Sequence, residues 1–148
     1  QKSIHRHKSE RELYEMYYGQ IVDAVNSGVF EGLVHLDYVR RSLPYPNGQP
    51  PEFAHDIFEQ VAGEIARHNV VVEINTRGRV VPQVREVYPT KALFRYLYRA
   101  NVDFTVGSDA HEVGRVGDGF NEARKLLQEA GVASLCYFKR YEVLRIDL

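Results

Sequence analysis

The stretch from Val102 to His111 reads Val-Asp-Phe-Thr-Val-Gly-Ser-Asp-Ala-His, and it decides the fold class. Its first five residues are mostly β-branched or aromatic and follow the helix-stopping Asn101, so they predict a short buried strand. Its last residues are polar. Asp109 and His111 stand two apart, so on extended backbone their side chains would point the same way. A carboxylate and an imidazole at the end of a buried strand are typical of a divalent-metal site in an α/β enzyme. A polar turn with an exposed histidine is the alternative interpretation.

Length and composition indicate one globular domain. The chain has 148 residues, of which 44% are hydrophobic and 26% charged, and it can bury a core of its own. A formal net charge of -1 gives no electrostatic reason to expect nucleic acid or an anionic membrane as a partner. No apolar run approaches the roughly 18 residues of a membrane span. The single cysteine, Cys136, excludes an intrachain disulfide and favours a reducing, cytoplasmic location.

Hydrophobic periodicity and capping residues predict helices and strands in alternation. Ser9 and Glu12 form a capping box, and Gly28 ends the helix that begins there. Further helices are predicted at 52–68, 90–100 and 120–130, and strands at 32–36, 70–75, 102–106, 132–138 and 141–146, the last as an edge strand. Such alternation predicts βα units in a mainly parallel sheet. The stretch 76–89 has no clear helix or strand, and loops of that length are often functional.

Polar side chains follow each of the first three predicted strands. They are His35 and Asp37 after the first, Glu73, Asn75, Arg77 and Arg79 after the second, and Asp109 and His111 after the third. Active sites of α/β folds gather at the carboxyl ends of parallel strands. Three such ends together favour metal ligation by His35, Asp109 and His111.

Other interpretations of these side chains stay open. His35 could be a core histidine that is hydrogen-bonded to backbone, and Asp37 could cap the following loop. Glu73 could face a helix layer and pair with an arginine. Arg77 and Arg79 could be solvated loop charges or could contact phosphate.

Three motifs resemble those of one enzyme superfamily. Gly107–His111, Gly-Ser-Asp-Ala-His, is similar to the last metal motif of the polymerase and histidinol phosphatase (PHP) superfamily. Leu33–Asp37, Leu-Val-His-Leu-Asp, resembles its Gly-His-Leu-Asp element, with Val34 in place of the glycine. Glu73–Gly78, Glu-Ile-Asn-Thr-Arg-Gly, is similar to the stretch between them in the histidinol-phosphatase branch. The resemblance covers nearly the whole chain.

The resemblance implies a fold and a metal centre. The superfamily has a distorted, TIM-like (β/α)7 barrel of parallel strands alternating with helices, with a site for up to three divalent ions of zinc, manganese or iron. Carried over by motif, His35, Asp109 and His111 would be ligands, and His5 would be a fourth. The family's early metal motifs are absent, so residues 1–148 resemble the second half of a single PHP domain. We expect a fragment, a subunit whose partner supplies the first half, or a degenerate relative.

The same resemblance implies a metal-dependent phosphomonoesterase that hydrolyses L-histidinol phosphate. Bound metals would lower the pKa of a water and supply hydroxide, with Asp109 and His111 as catalytic residues. Arg77 or Arg79 would bind the phosphoryl oxygens of this small phosphorylated substrate.

Two other functions are compatible with these residues. One is a PHP-type nuclease or phosphodiesterase, against which the near-neutral charge argues, because nucleic-acid backbones require clustered Lys and Arg. The other is a non-catalytic half-barrel. Its open strand edges would favour self-association or binding of a complementing N-terminal half.

Overall fold

The computed structural model describes residues 8–45 and 47–148, so the predicted ligand His5 lies outside the described residues. The α-helices in these ranges are α1 (Glu10–Asn26), α2 (Ala54–Arg67), α3 (Lys91–Arg99) and α4 (Phe120–Ala130). The strands are β1 (Gly32–Leu33), β2 (Val71–Asn75), β3 (Phe104–Gly107), β4 (Ser134–Lys139) and β5 (Glu142–Asp147). Short 3-10 helices cover Tyr38–Arg41, Thr76–Val80 and Val113–Arg115. Among the described helices, none combines the length and apolar character needed to cross a membrane.

The strands β1, β2 and β3 form a parallel sheet in that order, which confirms the predicted α/β alternation. The central strand β2 has four of its five residues buried, as is typical of a parallel strand covered on both faces. The exception is Glu73, which is partly buried. Asn75 pairs with Gly107, so the carboxyl ends of β2 and β3 lie side by side.

Aromatic side chains pack the helices together beside this sheet. The predicted capping box starts α1, since the Ser9 side chain accepts the Glu12 N–H while the Glu12 carboxylate accepts the Ser9 N–H. The rings of Tyr18 in α1 and Phe58 in α2 are 5.6 Å apart, and those of Phe58 and Tyr96 in α3 are 6.0 Å apart. A continuous apolar core therefore links α1, α2 and α3.

The strands β4 and β5 form an antiparallel hairpin, and in the described part of the chain neither belongs to the parallel sheet. The fourth strand of the predicted alternation is therefore not parallel. Lys139 pairs with Glu142, and the two residues between them, Arg140 and Tyr141, have φ values of 49° and 70°. Two residues with positive φ are typical of a type I′ turn, and so short a connection can only reverse the chain.

The strand β1 is shorter than predicted, because it ends at Leu33 rather than at residue 36. Positive φ values of 36° at His35 and 78° at Asp37 turn the backbone away from the sheet. Side chains distant in sequence stabilise this turn. The Glu73 carboxylate accepts the His35 N–H at 3.1 Å, and the Tyr18 hydroxyl donates to Asp37 at 2.6 Å.

Candidate active site at the carboxyl ends of the strands

Arg77, Asp109 and His111 form one cluster beyond the carboxyl ends of β2 and β3. Nη1 of Arg77 lies 3.0 Å from the backbone carbonyl oxygen of Asp109 and 2.7 Å from Nδ1 of His111. Nε of Arg77 is 3.8 Å from Oδ2 of Asp109, and Oδ1 of Asp109 is 3.6 Å from Nδ1 of His111. The structure thus brings together three of the side chains that the sequence nominates for the site.

The cluster forms although the backbone is not extended there. Asp109 has a φ of 47°, in the left-handed region, so the backbone between Asp109 and His111 is not extended. Aspartate adopts this region more readily than most residues. The resulting turn carries Nδ1 of His111 to 2.9 Å from the Asp109 carbonyl oxygen. The two side chains meet across a turn rather than along a strand.

Asn75 and Glu73 of β2 position Arg77. Oδ1 of Asn75 accepts the Arg77 backbone N–H at 3.0 Å and so caps the 3-10 helix Thr76–Val80. Nδ2 of Asn75 donates at 2.8 Å to Oε2 of Glu73, the same oxygen that accepts the His35 N–H. Among the described residues Glu73 forms no arginine pair; its carboxylate joins the turn after β1 to the end of β2.

The ring of His35 is not hydrogen-bonded to the described residues of the cluster, Arg77, Asp109 and His111. It is half-buried, and its centroid is 5.1 Å from that of Tyr38. No hydrogen bond between described residues joins this ring to Asp109 or His111. Among the described residues, His35 is connected to the site through the hydrogen bond from its backbone N–H to Glu73.

Arg79 contacts α4 rather than the cluster. Its Nη2 donates to Oε1 of Glu122 at 2.8 Å, and its Nη1 lies 3.5 Å from Oδ1 of Asp118. Two carboxylates therefore compensate its charge. Of the two arginines that the sequence nominates for phosphate, Arg77 is the one next to Asp109 and His111.

Asp37 belongs to a buried polar network that the sequence does not reveal. It is fully buried, and it accepts hydrogen bonds from the Tyr18 hydroxyl at 2.6 Å and from the Thr90 N–H at 3.3 Å. Burial raises the pKa of Asp37 to about 6, although these hydrogen bonds oppose the rise. Nearby Arg40 is buried between the ring of Tyr45, at 3.9 Å, and the carboxylate of Glu86, at 2.6 Å. The network holds the start of α3 against α1.

The described residues do not complete a metal centre. No group of three or more His, Cys, Asp or Glu side chains in residues 8–45 and 47–148 is arranged to hold a metal ion. Asp109 and His111 offer two ligands, whereas zinc is bound by three or four protein ligands. The guanidinium of Arg77 also faces this pair. A metal centre would need further ligands from outside these residues.

Together, the parallel sheet and the cluster define an α/β domain with a polar site at the carboxyl ends of its strands.

Sequence comparison finds two relatives, each named probable histidinol-phosphatase. The relative from Deinococcus radiodurans is 33% identical over 131 residues, covering 86% of this chain and 46% of the relative. The relative from Clostridium acetobutylicum is 26% identical over 147 residues, covering 95% of this chain and 55% of the relative. No family model matches the chain.

A solved structure has the same fold. It is the histidinol phosphate phosphatase from Lactococcus lactis subsp. lactis, complexed with zinc, L-histidinol and phosphate. It is 25% identical to this chain with a TM-score of 0.75, and the match covers 95% of this chain and 54% of that structure.

These findings confirm the resemblance to the histidinol-phosphatase branch of the PHP superfamily. The chain spans about half the length of the relatives it matches. Its parallel strands and helices correspond to part of the PHP barrel.

Proposed function

We propose that the chain is the second half of a histidinol-phosphate phosphatase domain. The reaction is hydrolysis of L-histidinol phosphate to L-histidinol and phosphate, a step of histidine biosynthesis. The observation that carries this proposal is the likeness, over 95% of the chain, to a phosphatase complexed with L-histidinol and phosphate. The cluster of Arg77, Asp109 and His111 at the strand ends supports it.

The residues of the cluster have different proposed roles. A guanidinium presents paired N–H donors to phosphoryl oxygens, so Arg77 binds the phosphoryl group. Arg77 is the primary phosphate residue because it lies beside Asp109 and His111, whereas Arg79 is paired with Glu122 and Asp118. Asp109 and His111 orient the attacking water and move its proton. The water oxygen bonds to phosphorus, the bond from phosphorus to the histidinol oxygen breaks, and that oxygen takes up a proton.

We propose further that the complete domain holds divalent metal ions, of zinc, manganese or iron. This chain would contribute His35, Asp109 and His111, together with His5. The remaining ligands would come from a complementing N-terminal half. When bound, such ions would lower the pKa of a water and neutralise the phosphoryl oxygens.

The exposed face near β1 supports a complementing half. Among the described strands β1 pairs only with β2, so its other edge is open. Val29, Phe30 and Val34 around it are 75%, 51% and 58% exposed. An open strand edge beside apolar side chains favours pairing with another strand.

The single cysteine, Cys136, is free and buried, which is in keeping with a reducing, cytoplasmic location.

The test is phosphate release from L-histidinol phosphate. This chain would be assayed alone and after mixing with the N-terminal half of the Deinococcus radiodurans relative, with added zinc or manganese. We expect release from the mixture and little from the chain alone. Sedimentation shows whether the halves associate. A stable, metal-loaded complex that releases no phosphate would contradict the proposal.

A further inference from the structure

We propose that Arg79 is a positioning residue of the candidate site: it ties the far end of the β3–α4 loop, residues 108–119, to the 3-10 helix that follows β2. That contact keeps Asp109 and His111 beside Arg77. The inference rests on the proposed function, because it concerns the geometry of the same cluster. It gives Arg79 a task other than the phosphate contact for which the sequence nominates it.

The far end of the β3–α4 loop is the segment Gly117–Gly119, directly before α4. Nη1 of Arg79 lies 3.5 Å from Oδ1 of Asp118, and its Nη2 donates at 2.8 Å to Oε1 of Glu122, in the first turn of α4. The buried Thr76, at the start of the same 3-10 helix, donates its hydroxyl hydrogen to the backbone carbonyl oxygen of Asp118. Two side chains of the helix therefore contact one short segment of the loop.

Gly119 makes this close approach possible. A Cβ atom there would come within 2.0 Å of Nη1 of Arg79 and 2.9 Å of the Cβ atom of Thr76. The φ of Gly119 is 81°, in the left-handed region that glycine adopts without steric cost. Nη1 of Arg79 is shielded from solvent and has no hydrogen-bond partner among the described residues, so close packing and the charge of Asp118 hold it there. The end of the loop thus fits this one arginine.

A hydrogen bond inside the β3–α4 loop couples its two ends. The hydroxyl oxygen of Ser108 accepts the N–H of Gly117 at 3.2 Å. Ser108 directly precedes Asp109, whose carbonyl oxygen accepts from Nη1 of Arg77 at 3.0 Å. The 3-10 helix therefore contacts the near end of the loop through Arg77 and the far end through Arg79. A displacement at the far end is passed through Ser108 to the turn that begins at Asp109.

The path of the loop decides where the cluster lies. The side chains of Asp109 and His111 are 31% and 64% exposed. Among the described residues, their hydrogen bonds and ion pairs are with Arg77 and within the turn itself. A misplacement of reacting groups by about 1 Å can cost about 100-fold in rate. Loss of Arg79 should therefore slow the reaction, although Arg79 contacts neither Asp109 nor His111.

The contact between Arg77 and His111 in the full 148-residue chain is the first readout. Nuclear Overhauser cross-peaks between the side-chain protons of Arg77 and the ring protons of His111 report this contact. We expect the cross-peaks in the unaltered chain and their loss in both Arg79→Gln and Gly119→Ala. The first substitution removes a charge and the second adds a methyl group, so a shared loss assigns the effect to the contact between Arg79 and the loop.

Two matched controls accompany these variants. Lys125→Gln also removes a cation from an ion pair of α4, the exposed pair with Glu129 at 3.8 Å. Gly114→Ala also adds a methyl group to the loop, at a position where it meets nothing within 4 Å. Both controls should keep the cross-peaks, and urea denaturation would verify that every variant is folded. Cross-peaks that persist in Arg79→Gln or in Gly119→Ala, or that disappear equally in the controls, would overturn the proposal.

The second readout is the split between kcat and KM in the domain complemented by the N-terminal half of the Deinococcus radiodurans relative. Arg79→Gln should lower kcat for L-histidinol phosphate by about 10- to 100-fold, with little change in KM, since Arg79 positions the cluster and does not bind substrate. A raised KM with an unchanged kcat would show instead that Arg79 binds the phosphoryl group, and would overturn the proposal. The cross-peaks need no activity, so an inactive unaltered complex would contradict the proposed function while the cross-peaks still decide the role of Arg79.

Discussion

The carboxylate of Glu73 lies against the Cα atom of Gly107, on the neighbouring strand β3. A Cβ atom at position 107 would come within 1.8 Å of Oε1 of Glu73. Only glycine therefore lets Glu73 reach the N–H of His35 and the amide of Asn75. The turn that carries His35 is held in place by a carboxylate for which Gly107 leaves room.

Gly107→Ala should displace Glu73 more than it unfolds the chain, because the clashing atom is the end of a side chain that can rotate away. We expect a loss of about 1 kcal/mol in the free energy of unfolding, for the hydrogen bonds that are broken. Hydrogen exchange at the His35 amide should become faster. Gly114→Ala is the matched control, since a Cβ there meets nothing within 4 Å. An unchanged exchange rate at His35 would show that Glu73 does not hold this turn.

Tyr18 and Tyr14 are both buried in α1, but only the Tyr18 hydroxyl has a hydrogen-bond partner among the described residues. Tyr18→Phe removes the hydroxyl that donates to buried Asp37 at 2.6 Å. This substitution should lower the free energy of unfolding by about 1–3 kcal/mol. Tyr14→Phe removes a buried hydroxyl without a partner, so its effect on stability should be neutral or favourable. Urea denaturation of both variants measures the difference. Equal losses would argue against the Asp37 hydrogen bond.

Asp37 should make the stability of the chain depend on pH between about 4 and about 6. The pKa of Asp37 is about 6 in the folded chain and near about 4 in an unfolded one. The folded state therefore binds the proton more readily, and stability from this group is lost as pH rises through this window. We expect the difference in unfolding free energy between the unaltered chain and Asp37→Asn to fall from about pH 4 to about pH 6, then to level off. A difference that stays constant or rises would contradict the burial of a carboxylate there.

The fold could be predicted wherever a local pattern determines it. The capping box at Ser9 is specified within a few residues, and it is present. The parallel sheet follows from alternation of helices and strands. The sequence does not predict the hairpin β4–β5, because its turn, Arg140-Tyr141, lacks the glycine or asparagine that usually marks a type I′ turn.

The sequence predicts where the candidate site lies, but it does not predict which distant side chains are hydrogen-bonded to each other there. Asp109 and His111 stand where the sequence places them, at the end of β3, and both lie beside Arg77. The Glu73 bond to His35 spans 38 positions, and the Tyr18 bond to Asp37 joins separate elements. Such contacts depend on tertiary packing, for which a single sequence carries no periodic signal. For the same reason the end of β1 was predicted three residues too late.

The most direct test of the central claim is phosphate release by the complemented domain. Release is compared after substitution of His111 and, as a control, after substitution of His68. His68 follows α2, is exposed, and forms no side-chain contact with the cluster. This chain and its His111→Ala and His68→Ala variants would each be mixed with the N-terminal half of the Deinococcus radiodurans relative, metal and L-histidinol phosphate. We predict phosphate release by the unaltered chain and by His68→Ala, and a loss of at least about 100-fold in His111→Ala. Equal release by both variants, or none from a metal-loaded complex of the unaltered halves, would contradict the account.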